Sequence, residues 1–340
     1  MKNHIILFIL LAITLTSCTG NKTLVEVKFE GEAQGTYYAV TYYDSKGISY
    51  QQDIDSFFRA FDQSASIYQK ESIISRLNNN DSTARADDVF TYVFNKSMEV
   101  SEKTDGAFDI TVLPLVNAWG FGFTDPMKLD SSQVDSILPL VNYRNVKLTD
   151  GRLVKTNPAI KVDFNAIAQG YSADLIGQLL ESHGIENYLI DVGGEVLARG
   201  TKPGNIPWKV GIEKPAENAD DARELNTVVN LSNKALATSG NYRKYFIRDG
   251  VRYSHTIDPK TGFPVNHTVL SVSVLADDCI SADAYATSFI VMGLDKTKKF
   301  LAQHPELDAY IIYSDDSGKL TTWSSDGLSQ LIEAVTPEEK

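Results

Sequence analysis

Residues Tyr245 to Val265 read YFIRDGVRYSHTIDPKTGFPV, and the fold turns on how this stretch pairs with itself. Asp249-Gly250 between apolar flanks marks a tight hairpin, because a two-residue turn of that kind needs positive φ at positions that glycine and aspartate tolerate. The strands on either side therefore run antiparallel, and the second passes through Tyr253 into His255. Neighbouring strands elsewhere also read as hairpin-connected, and strands outnumber helices in the middle of the chain. There is no regular strand–helix–strand alternation and no phosphate-binding glycine loop. The expected class is α+β: mixed, largely antiparallel sheets with packed helices, in two interlocked lobes that share strands and flank a cleft.

The same stretch poses a chemical question. A histidine arrives at a strand end, and Asp258-Pro259 with Thr261-Gly262 then stop the ladder. Proline supplies no donor, and glycine permits a sharp turn or the close approach of a ligand.

The chain has 340 residues, 43% hydrophobic and 22% charged, which suits a folded globular protein of one large domain or two interlocked ones. A formal net charge of -12 without clustered Lys and Arg excludes a nucleic-acid binder. An anionic ligand must then be held by local means.

The opening segment MKNHIILFILLAITLTSCTG has a basic start at Lys2, an apolar run from Ile5 to Leu15 and a small-residue stretch ending at Cys18. The run is too short for an ordinary membrane span and fits a signal peptide over 1–17. Leu15-Thr16-Ser17-Cys18 resembles the bacterial lipobox, whose cysteine is acylated, with palmitate among the acyl groups, and becomes the first mature residue. The blander alternative is a signal sequence with an incidental cysteine. Residues 18–26 then form a lipidated N-terminus and tether, and Cys279 is the only remaining thiol, so no intrachain disulfide is possible.

Helices are expected from Asp53 through Ser64 and from Asp87 to about Lys103, where Val89, Phe90, Val93, Phe94 and Met98 mark one face. Strands flank an interruption near Gly31 to Gly35, and PAENADDARE from Pro215 to Glu224 reads as an exposed excursion between strands. Four stretches look chemical. GAFDITVLPLVNAWGFG (Gly106 to Gly122) is explained adequately by a core strand and loop. In VDFNAIAQGYSADLI, Asp163 falls just ahead of a helix that ends at Gly184, where it would cap the helix or leave the N-H groups for a phosphate. YLIDVGGEVLARG is a strand broken by Gly193-Gly194, the mark of a bulge or a close backbone approach. In ISADAYATSFIVMG, Asp283 and Thr287 share a helix face and would offer a carboxylate and a hydroxyl to a hard cation, or Asp283 would merely cap the helix.

Taken in order, GTYY, GAFD, VDFNAIAQGYSAD, LIDVGGE, ATSGNYRKYF, YSHTIDPKTGFPV and ISADAYAT resemble the ApbE family of FAD:protein FMN transferases from about Glu30 to beyond Gly293. The resemblance implies a flavin transferase domain over 27–335 with FAD in the cleft. It implies Mg2+-dependent transfer of FMN from FAD to a Thr or Ser hydroxyl of an acceptor protein, often a subunit of a membrane redox complex, with release of AMP. A lipid-anchored enzyme of the bacterial cell envelope, facing the periplasm, fits that duty. Position by position, it puts Gln34, Ala107, Phe108, Asp109 and Asp163 around FAD with Tyr68 as a neighbour. Gln169 takes a flavin-contacting place, and His255 and Ile257 lie along the nucleotide. The magnesium ligands would be the side chains of Asp283 and Thr287 and the backbone oxygens of Ala166 and Ala286. Gln34 stands where many relatives have methionine, and Gln169 where lysine or glutamate is usual; a neutral amide hydrogen-bonds but does not neutralise phosphate. Asn165-Ala166 likewise replaces smaller residues.

Under this reading His255, with an ordinary pKa near ~6.5, either takes the proton of the acceptor hydroxyl or only positions the nucleotide. Two other classes stay open: an FAD pyrophosphatase that uses water as acceptor, and a non-catalytic flavin-binding lipoprotein.

Overall fold

The computed structural model describes residues 24–123, 129–215, 224–241, 245–248 and 251–333. Cys18, the segment 1–17 and the Asp249-Gly250 turn lie outside the described residues.

The chain opens with a hairpin of β1 (Val25–Ala33) and β2 (Thr36–Asp44), so the first strand begins inside the stretch read as a tether. Gln34 and Gly35 form its turn with φ of 53° and 74°, the left-handed values that such a turn demands. Helices α1 (Gln51–Ala65), α2 (Ile73–Asn78) and α3 (Asp88–Lys103) follow. Phe90, Val93, Phe94 and Val100 of α3 are buried, and its first turn is capped by Asp87, which accepts from Phe90 N at 2.8 Å. GAFDITVLPLVNAWGFG is not a core strand: a turn leads into α4 (Leu113–Trp119), with proline in its first turn and Gly120 ending it at φ 85°.

Next come α5 (Ser131–Ile137), the hairpin β3 (Val146–Thr149) and β4 (Arg152–Lys155), and α6 (Ala168–Ser182). A run of strands continues with β5 (Tyr188–Val192), β6 (Glu195–Arg199), β7 (Trp208–Glu213), β8 (Leu225–Leu231) and β9 (Lys234–Gly240). Strands β10 (Tyr245–Arg248), β11 (Val251–Ser254) and β12 (Val269–Ala276) precede the long α7 (Cys279–Leu301). The described chain closes with β13 (Asp308–Ser314), β14 (Leu320–Ser324), α8 (Asp326–Ser329) and β15 (Ile332–Glu333).

The main sheet has eight strands in the order β1-β2-β5-β6-β9-β12-β13-β14, and a three-stranded sheet runs β15-β8-β7. Every strand pairing among the described residues is antiparallel. In the stretch that set the expectation, Arg248 pairs with Val251 and Tyr245 with Ser254, the register of a two-residue turn. Gly193-Gly194 is likewise a hairpin turn between β5 and β6, with both φ positive, and not a bulge within one strand.

The main sheet separates two apolar layers. Tyr38, Val40 and Tyr42 of β2 face the helices, and the Tyr38 ring lies 5.0 Å from that of Phe58 on α1. Tyr43, pointing the other way, meets Trp208 of the small sheet at 5.8 Å between rings. That alternation is the period of two expected of a strand covered on both faces. A third cluster joins Leu115 and Trp119 of α4, Val134 of α5 and Ile257, and supports one rim of the cleft. Helix α7 breaks at Gly293, whose φ is 74°. His267 repairs the break: its Nδ1 accepts from Val269 N at 3.3 Å, and its Nε2 donates to Ile290 O at 2.6 Å. Among the described residues no helix is long and apolar enough to cross a membrane.

Candidate active site

A cleft of about 1250 Å³ is lined from both halves of the chain, from the β1–β2 turn to α7. Gln169 of α6 and Asp283 and Thr287 of α7 line it where these two helices cross. Gly170 of α6 sits so close to α7 that a Cβ there would lie 2.4 Å from Cys279 O and 2.8 Å from Asp283 Cβ. Across this contact Gly170 N donates to Asp283 Oδ2 at 3.0 Å. Asp283 is therefore not the cap of its own helix; Asp278 fills that role by accepting from Ser281 N at 2.9 Å. Nor does Asp163 cap α6, whose N-cap is Ile167, with no side-chain bond.

One turn beyond Asp283, Thr287 Oγ1 lies 3.0 Å from Ser239 Oγ on β9. Ala166 and Gln169 also line the cleft, in the turn that leads into α6 and in its first turn. Ala286 is fully buried in the middle of α7 and is not among the residues that line the cleft.

The positions expected around the flavin converge on the same space. Gln34 lies in the β1–β2 turn, where its Oε1 accepts from Ser172 Oγ at 3.3 Å. Tyr68 is 66% exposed at the mouth, with its ring 5.2 Å from that of Phe123. Ala107, Phe108 and Asp109 follow α3 and line the wall. Asp109 is a brace: Oδ1 accepts from Thr111 N and Thr111 Oγ1 at 2.8 and 2.6 Å, and Oδ2 accepts from Tyr143 N at 2.7 Å. Burial nevertheless raises its carboxyl above the usual range. Asp163 Oδ1 accepts from Asn165 N at 2.8 Å, and burial pushes its carboxyl up to about 6.

His255 comes off the end of β11 into the cleft, half-buried, its ring 6.3 Å from Phe121 edge to face. Both of its flanks are held. The β10–β11 pairing fixes the residues before it, and Val265 N donates to Thr256 O at 2.9 Å just after. Within that loop Gly262 N donates to Asp258 O at 2.8 Å, and Trp119 Nε1 anchors Gly262 O at 2.8 Å. Gly262 is at φ 75°, and a Cβ there would stand 2.5 Å from Val134. The turn thus clamps the chain beside the histidine, and Ile257, paired with Pro264, lines the cleft next to it.

Two groups escaped sequence reading. Ser239 entered only within the ATSGNYRKYF stretch; it lies next to the end of β9 and meets Thr287. Glu195 opens β6, is 8% exposed and lines the cleft. Its carboxyl is raised well above the usual range by burial and then by the neighbouring charge of Asp283. Burial raises Asp283 as well. Glu195 closes the LIDVGGE motif, but the glycine pair before it carries that motif's reading; period-two placement puts Glu195 and Leu197 on the helix-facing side of the sheet.

The comparisons with known proteins show the family and the fold. The ApbE family model matches residues 34–311. The chain belongs to the ApbE family. It is 35% identical over 307 residues to a curated FAD:protein FMN transferase of Vibrio cholerae, covering 87% of this chain and 90% of that protein. With the FAD:protein FMN transferase of Escherichia coli it shares 34% identity, over 87% of this chain and 86% of that one. The solved ApbE flavin transferase of Vibrio cholerae superposes with a TM-score of 0.81 at 31% identity, covering 91% of this chain and all of that one, 100%. The apo ApbE flavinyl transferase of Pseudomonas stutzeri gives a TM-score of 0.80 at 29% identity, over 92% and 98% of the two chains. The ApbE fold is thus the α+β, antiparallel architecture described above.

Proposed function

We propose that this enzyme transfers FMN from FAD to a Thr or Ser hydroxyl of an acceptor protein, releasing AMP, with Mg2+ as its metal. One observation carries the reading: segments scattered from Gln34 to Thr287 converge on a single cleft, with oxygen donors at the α6–α7 crossing and His255 on a clamped turn.

The donors suit magnesium. Asp283 and Thr287 side chains and the Ala166 backbone are all oxygen ligands, and among the described residues no three His, Cys, Asp or Glu side chains form a cage of their own. Mg2+ accepts such sparse coordination when phosphates and water complete it, whereas zinc would ask for nitrogen or sulfur. The Ala286 backbone oxygen, beside Thr287 on α7, is the fourth proposed donor, since a carbonyl keeps a second lone pair within a helix. When bound, magnesium would withdraw charge from the diphosphate and ease departure of AMP.

The chain's own groups do the rest. The Asp109 brace fixes the wall formed by Ala107 and Phe108, against which FAD lies. Ser239 orients the Thr287 hydroxyl. The acceptor oxygen attacks the phosphorus of the FMN half, its proton passes to His255, and the bond to the AMP oxygen breaks. With Cys18 acylated, the enzyme sits on a membrane of the cell envelope, facing the periplasm, within reach of membrane redox subunits.

The experiment is His255→Asn, assayed both for FAD binding and for transfer to an acceptor. Retained affinity with transfer reduced by roughly 10²–10⁴ is expected for a lost proton acceptor. Equal loss of both assigns His255 to positioning.

A further inference from the structure

We infer that Glu195 of β6 is a further carboxylate of the cation site, acting with Asp283 and Thr287 of α7. The inference rests on the magnesium reading above and adds a residue that reading did not contain.

Glu195 is more than nine-tenths buried, lines the cleft, and has an Oε2 sealed from solvent with no hydrogen-bond partner. Leaving a buried carboxylate oxygen unpaired is among the more expensive defects a fold can carry. Protonation at Oε1 would remove the charge but would still leave Oε2 without a donor. The fold also takes trouble to put the group there. Glu195 follows directly on the Gly193-Gly194 turn, and Gly193 is pressed so tightly that a Cβ would lie 2.7 Å from Thr36 Cγ2 and 3.2 Å from Gln169 Nε2. The turn thereby seats β6 against the start of α6. Glu195 lies on the helix-facing side of the sheet, and the charge that bears most on it is Asp283.

Asp191, the other charge that bears on Glu195, is also a carboxylate and also lines the cleft. Its Oδ2 accepts from Tyr37 OH at 3.0 Å and its Oδ1 from Gly194 N at 2.8 Å, so it holds the turn. Two carboxylates, on β6 and α7, thus line one cleft together with the Thr287 hydroxyl. A divalent cation there answers the unpaired oxygen and the mutual repulsion together.

The test is Mn2+ titration of the protein holding FAD, without acceptor, followed by the electron paramagnetic resonance signal of free Mn2+, for the parent, Glu195→Gln, Glu195→Asp and Asp283→Ala. Melting midpoints with and without Mn2+ accompany it. We expect Glu195→Gln to weaken Mn2+ binding at least about tenfold, to melt no lower than the parent without metal, and to lose part of the metal-induced rise in midpoint. Glu195→Asp should fall between the two. Mn2+ affinity equal to the parent's in Glu195→Gln overturns the inference while leaving the magnesium reading intact. A parent that binds no Mn2+ overturns both. If Glu195→Gln fails to fold, Glu195→Asp decides: parent-like Mn2+ affinity and a lowered metal-free midpoint make Glu195 structural only.

Discussion

Gly170→Ala is the change that presses hardest on the geometry of the site. In an isolated helix alanine is favoured over glycine by about 1 kcal/mol, so propensity alone predicts a more stable protein. The structure predicts the opposite. The added Cβ would stand 2.4 Å from Cys279 O and 2.8 Å from Cys279 C, both backbone atoms of α7 that cannot swing aside. Ordinary contact begins near 3.4 Å, so α6 and α7 must part by about 3.4 − 2.4 = 1.0 Å. Overpacking of this kind costs about 1–3 kcal/mol, and here the Gly170 N to Asp283 Oδ2 bond of 3.0 Å is lost as well. We expect a net destabilisation of roughly 1–3 kcal/mol after the propensity gain. Activity should suffer more than stability, because a displacement of about 1 Å in a reacting group can remove about 10²-fold of rate. Gly177→Ala on the same helix is the control: its Cβ would meet Tyr188 OH at 2.7 Å and Leu197 Cδ2 at 2.9 Å, side-chain ends that can yield. Urea melts and transfer rates per folded molecule are to be read for both. A Gly170→Ala protein as stable and as active as the parent would refute the close crossing that places Asp283.

Asp109→Ala should destabilise by roughly 2–4 kcal/mol, since it strands the three donors on Thr111 and Tyr143, and a urea melt reads this directly; unchanged stability with weaker FAD binding would make Asp109 a ligand contact instead. Burial lowers the pKa of His267, so its contribution to stability is complete above its unfolded value of about 6.5 and is lost as pH falls below it. His267→Gln should flatten that acid limb of the melting midpoint. The Asp163 carboxyl is raised to about 6, so its contribution is present below the unfolded value and lost as pH rises through about 6. The full shift is worth up to about 3 kcal/mol, but the group borders the open cleft, and about 1 kcal/mol is the realistic share. Asp163→Asn should therefore exceed the parent in stability at pH 8 and match it at pH 4, as compared by urea melts.

How legible the protein was in its sequence depended on whether the deciding interaction was local. The Asp249-Gly250 dipeptide and the apolar periodicity over 87–103 act within a few residues, and the antiparallel pairing and α3 follow them. α4 was taken for strand because Leu113, Leu115 and Val116 are apolar and short runs do not distinguish the two periods. Its real signals, Pro114 at the start and Gly120 at the stop, were there to be read. The Gly193-Gly194 turn was seen as a break within one strand, since two strands of only five residues each leave little alternation to count. In the site, most residues carried by the family motifs line the cleft, Ala286 excepted; Glu195 and Ser239 also lie in those motifs, but their placement beside α7 depends on the strand order β6-β9, which no local pattern states. By its local pattern Asp283 reads first as a helix cap, and the ligand role comes from the resemblance; the position of Asp278 as the N-cap five residues earlier removes the first alternative.

The central claim is metal-dependent transfer of FMN to protein, and the most direct measurement is mass spectrometry of candidate membrane redox subunits after incubation with this enzyme, FAD and Mg2+, with AMP quantified in parallel. The account predicts an acceptor Thr or Ser carrying one FMN in phosphoester linkage, AMP formed in equal amount, and neither product when magnesium is chelated. AMP and free FMN released at a rate indifferent to the acceptor, with no protein labelled, would contradict it and make the enzyme an FAD pyrophosphatase.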